Sequence, residues 1–187
     1  MQVRCFQIMS TRTYQKIACF WVLVPALTAA AAQVGSIAPD FTIKDQYDLE
    51  VQLSLQRGKP VLLIYGDRLG SDYMSVWAAA MRESPVASSV NVIRIANLRA
   101  VPAAFHRYVK RKFQSPNEEG MPNSPVLLDF DGAVAKIFGF TDDLTNVYLI
   151  DKKGILRYTA CGKGTPEQTR RLLDVIAQLD QTELRQY

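Results

Sequence analysis

Cysteine and histidine are scarce in this chain. It has three cysteines and one histidine in 187 residues. Cys5 and Cys19 fall within the first 32 residues, so the remainder carries Cys161 alone. A single thiol excludes an internal disulfide there. The single His106 excludes a multi-histidine metal site, and no triad can be assembled around it from the sequence. A place on a helix surface is its simpler reading. Long apolar runs are missing too. The longest, residues 17–32, falls short of the roughly 20 residues that a permanent membrane span needs. Internal repeats and low-complexity tracts are absent after residue 33, which excludes solenoids and linker-like tails.

What is present at the N-terminus has a recognisable layout. Arg4, Arg12 and Lys16 precede the apolar stretch, no acid accompanies them, and Ala30, Ala31 and Ala32 close it before Gln33. A basic region, an apolar core and a small-residue cleavage site describe a secretory signal peptide over residues 1–32. The expectation is an exported protein, periplasmic in a Gram-negative-type host and otherwise secreted. Contact with a membrane is expected only through an uncleaved leader. Cys19 follows Lys16-Ile17-Ala18, which is no lipoprotein context.

Removing the leader also removes the charge signal. The whole chain has 22 basic and 18 acidic residues. The leader holds three basic residues and no acid, which leaves 19 basic against 18 acidic. Near neutrality gives no reason to expect a nucleic-acid partner. The cluster "HRYVKRK", 106–112, reads as a solvated helix face.

The remaining residues, 33–187, read as one domain. "FTIKDQYDLEVQL" predicts a hairpin about Asp45–Asp48, and "KPVLLIYG" a buried strand. A helix is predicted over 72–83, with Tyr73, Val76, Trp77 and Ala80 facing inward and Ser71 or Asp72 as its cap. "VNVIRIANL" predicts a second buried strand. Pro102 opens a helix with Phe105, Tyr108, Val109 and Phe113 on one face. Residues 114–125 are a loop by composition. "VLLDFDG" is a short strand and turn, and "AVAKIFG" a short helix. "NVYLIDKKGILRYTA" is a hairpin about Asp-Lys-Lys-Gly. Thr165-Pro166-Glu167 opens a last helix to about Leu179, with Leu172, Val175, Ile176 and Leu179 facing in. Parallel βαβ units followed by a hairpin and a covering helix predict an α/β domain: a thioredoxin-like three-layer sandwich with a mixed central sheet and an N-terminal β-hairpin.

The motifs in this order resemble the redoxin group, which includes alkyl hydroperoxide reductases, thiol-specific antioxidant proteins (peroxiredoxin-like) and exported thiol–disulfide oxidoreductases. "VGSIAPDF" and "GKP" resemble the group's opening, "SPVLLDFDGAVAKIFGF" its middle and "NVYLIDKKGILRY" its terminal hairpin. The likeness covers about Val34 to Leu179. It implies a Cys-x-x-Cys pair where the core strand meets its helix. Leu69 and Asp72 occupy those positions here, with Gly70-Ser71 between them. The peroxiredoxin-type cysteine after a threonine is missing as well. Thr145 stands where the group has a cis-proline, and a cis bond before a non-proline residue costs about 2.5–4 kcal/mol, so a trans bond is expected. The chain also resembles the YtfJ family, exported thioredoxin-like proteins without the cysteine pair, which share a "D-x-x-G … T-P-E" ending.

Two functional expectations follow. The first is a non-catalytic exported redoxin relative. It would use the former active-site edge, Asp67, Arg68, Ser71, Asp72 and Thr145, to bind a protein or a small ligand. The second is a thiol-dependent redox protein or thiol sensor using Cys161, expected near residues 66–72. Neither calls for a cofactor or a metal. Against the second stands the plainer role of a small, half-buried strand residue. Three weaker patterns remain. Asp129 and Asp131 mimic a phosphatase nucleophile and acid, but a β-turn explains them. Asp67 and Asp72 are potential oxygen ligands for a hard cation, though capping explains them more simply. The glycine-containing stretch from Gly66, with Arg68 beside a helix start, suits a small anion.

Overall fold

The structure is a computed structural model and describes residues 32–115 and 125–184. The expected leader lies outside the described residues except for Ala32, as does most of the 114–125 loop. No helix among the described residues is long and apolar enough to cross a membrane.

The fold is built outward from the apolar run after Pro60. Val61–Gly66 forms β3, and all six residues are buried. A strand buried on both faces needs such a continuous run. It is flanked by β4, Asn91–Asn97, in parallel and by β6, Thr145–Ile150, in antiparallel. Outside these lie β5, Val126–Asp129, parallel to β4, and β7, Leu156–Gly162, antiparallel to β6. The sheet order is β5-β4-β3-β6-β7. The predicted N-terminal hairpin forms a separate two-stranded sheet, β1 Thr42–Lys44 and β2 Glu50–Gln52.

Alternation along β3 divides the interior into two cores. Leu62 and Ile64 face helix α1, Ser71–Arg82, and helix α4, Pro166–Leu184. Trp77, Met81, Leu172 and Ile176 fill that side. Leu63 and Tyr65 face helix α3, Ala133–Phe138, together with Phe41, Phe138 and Tyr148. The remaining helix, α2, His106–Gln114, follows a short 3-10 turn at Ala103–Phe105 and links β4 to β5. This is the thioredoxin-like three-layer α/β arrangement that the element order predicts. Thr165 and Gln168 form a reciprocal capping box at the start of α4, with Gln168 N–H to Thr165 Oγ1 at 3.3 Å and Thr165 N–H to Gln168 Oε1 at 3.1 Å.

Several local expectations are corrected. In α1 the inward face is Met74, Trp77, Ala78 and Met81, whereas Val76 is exposed. The stripe is rotated because the Trp77 indole anchors the helix, donating to the Gly162 carbonyl at 3.2 Å. Neither Ser71 nor Asp72 caps α1. The N-cap position is Gly70, without a side-chain bond. The expected apolar face of α2 is not buried, and Phe105 and Tyr108 are exposed. His106 is half-buried rather than on an open helix surface: its ring stacks on Phe130 at 3.9 Å and contacts the Val101 carbonyl at 3.0 Å. Asp129 is more than a turn residue. It is buried and accepts the amides of Ala133 and Val134 and the Tyr65 hydroxyl, the last at 2.6 Å. Burial, then that bond and the charge of Asp129, hold the Tyr65 hydroxyl far above its usual range.

The turn of the last hairpin is fixed by Asp151, which is buried. Burial alone would raise its carboxyl. The amides of Ile155 and Lys153 and the guanidinium of Arg157 outweigh that and hold it below the usual range. A depressed carboxyl stabilises the fold above its unfolded value near 3.9, and that contribution is lost as pH falls through the lower folded value. Asp151→Asn is therefore expected to lose about 1–3 kcal/mol at pH 7. The gap to the parent protein should begin to narrow near pH 4 and close only as pH falls through the lower folded value. Urea denaturation across pH measures both, and a gap independent of pH would contradict this role.

Candidate functional site

The segment between β3 and α1, residues 67–70, meets the loop 139–144 that leads into β6. Asp67 joins the two. Its Oδ1 accepts the Gly70 amide at 2.8 Å and its Oδ2 the Asp143 amide at 2.8 Å. Its backbone carbonyl accepts the Ser71 amide at 2.8 Å. Asp67 is thus a clip with both carboxylate oxygens engaged, which weakens the case for it as a cation ligand.

Gly70 is required here by space rather than by φ, which is −64°. A Cβ on it would lie 2.5 Å from the Leu144 carbonyl oxygen and 3.2 Å from the Thr145 nitrogen. Thr145 completes the contact by donating its hydroxyl to the Gly70 carbonyl at 2.7 Å. The described residues contain no cis peptide bond. At the place where the redoxin resemblance implies a cis-proline facing a cysteine pair, backbone lies directly against backbone.

This geometry sorts the expected binding residues. Thr145 is fully buried and its hydroxyl is engaged by the Gly70 carbonyl, so it lies inside the junction and not on its exposed surface. Arg68, Ser71 and Asp72 are exposed, and Asp67 is partly so. The Ser71 hydroxyl donates to the Arg68 carbonyl at 2.7 Å. Leu69 is 55% exposed, a large apolar side chain turned toward solvent.

Cys161 is half-buried, and its place is also corrected. It lies opposite Asn146 in the β6–β7 register, beside the Thr145–Gly162 pair. That is the expected end of the sheet but the wrong face. Thr145, Val147 and Ala160 point toward α1 and α4, so Asn146, Tyr148 and Cys161 point toward α3. Burial, then the nearby Cys161 thiol, push the Tyr148 hydroxyl upward. Lys163, the neighbouring cation in sequence, reaches the α1 side instead, with its ammonium 5.2 Å from the Tyr73 ring centre.

Sequence reasoning missed Gly70, Asn146 and Asp143. The Asn146 amide donates to the carbonyls of Thr141 and Leu144 and its oxygen accepts the Thr141 amide, which shapes the loop. Asp143 adopts a φ of 63° within it. The second glycine in "GDRLGSD" was the one available signal. The asparagine gave none, because its partners are carbonyls in a turn. Next to the junction, a groove of about 1180 Å³ opens between α1 and α2.

Comparison with known proteins places this geometry. The AhpC/TSA family pattern matches residues 34–159. Peroxiredoxin Q of Triticum aestivum, a chloroplastic protein, is 29% identical over 140 residues, covering 72% of this chain and 61% of its own. Peroxiredoxin Q of Suaeda salsa is 26% identical over 149 residues, covering 76% and 66%. The chain thus spans about three-fifths to two-thirds of the length of these relatives. A candidate thiol:disulfide interchange protein DsbE from Chlorobium tepidum superposes with a TM-score of 0.59 at 22% identity, covering 80% of this chain and 99% of that one. The mitochondrial 2-Cys peroxiredoxin of Plasmodium falciparum does so at 0.58 and 16%, covering 83% and 98%. These two likenesses establish the fold.

Thr145→Val removes the hydroxyl and leaves the Gly70 carbonyl without it, an expected loss of about 1–3 kcal/mol. Gly70→Ala forces backbone apart, at about 1–3 kcal/mol. Both break one contact, so the double variant should cost less than the sum. Chemical denaturation of the three variants checks this, and strict additivity would separate the two residues.

Proposed function

The chain belongs to the AhpC/TSA family, and from that premise we propose that it is an exported, non-catalytic member that binds a protein or small ligand at the former active-site edge. The observation that carries this reading is the start of α1. Dithiol and peroxidatic chemistry place a thiol at a helix N-terminus, where backbone N–H groups lower its pKa. This helix start holds Leu69, Gly70, Ser71 and Asp72. An acidic residue in the first turn suits the helix but disfavours a second anion beside it. Cys161, the cysteine at this end of the sheet, faces the opposite layer. The Gly70–Thr145 contact supports the same reading, since it occupies the space between the helix start and β6. Arg68, Ser71, Asp72 and Leu69 remain as an exposed rim. The layout of residues 1–32 supports export.

The protein without its leader is expected to show no dithiothreitol-dependent insulin reduction and no thiol-dependent peroxide consumption above a Cys161→Ser control. Turnover in either assay that needs Cys161 would sink the non-catalytic reading.

One observation favours a second reading, a thiol sensor: Cys161 is only half-buried at the sheet end that carries the junction. Iodoacetamide at neutral pH is expected to label it no faster than free cysteine. Faster labelling, with a mixed disulfide trapped at Cys161, would favour the sensor instead.

A further inference from the structure

We draw no further inference here: the strongest candidate, the groove between α1 and α2, reaches Ser115 and Val126 beside residues 116–124, which lie outside the described residues, and nothing in the structure shows what occupies it.

Discussion

The strand β3 must be covered on both faces, and the rest of the molecule is arranged around that requirement. Six consecutive buried residues leave it no solvent-facing side. Both of its edges are paired, in parallel with β4 and in antiparallel with β6. One face demands α1 and α4, the other α3 and the N-terminal hairpin. Because β3 lies at the centre, the chain that leaves it at Gly66 must turn across the sheet end toward α1. That turn meets the loop entering β6, which places residues 67–70 and 139–146 in one compact junction.

The junction is held by a few polar contacts between segments far apart in sequence. Asp67 ties it to Asp143, Thr145 to Gly70, and Asn146 to its own loop. The Thr145–Gly70 bond is buried and the Asn146 bonds are partly buried, whereas the Asp143–Asp67 bond is exposed. The Gly70 backbone packs directly against that of Leu144 and Thr145, and Leu69 and the groove between α1 and α2 lie open beside it. Helix α1 is anchored by Trp77 to Gly162, and α2 by the His106 ring on Phe130, the Lys110–Asp48 ion pair and the Gln114 bond to Gln46.

The expectations that failed did so for physical reasons. The α1 stripe is rotated because periodicity fixes a face only to within a residue or two, and the Trp77 bond to Gly162 chooses it. Asp129 carries a phosphatase-like pattern because helix caps and nucleophiles draw on the same residue types. Its buried bonds to two amides and to Tyr65 distinguish the roles. Thr145 is expected at the binding edge because the family's proline at that position borders the active site. In this chain it points between layers.

Local patterns in the sequence determined the strands, the hairpin about Asp151 and Gly154, the capping box at Thr165 and the missing thiol at the helix start. These depend on alternation, turn chemistry and residue identity over a few neighbours. The order of those elements was enough to specify the layered fold. Only the tertiary structure decided that Gly70 touches Leu144, that Cys161 faces α3, and that a groove opens between α1 and α2. Each of these depends on the registers of β3 with β6 and of β6 with β7, or on how closely a helix approaches the sheet. Those are set by packing between segments remote in the chain, and local residue preferences do not encode them.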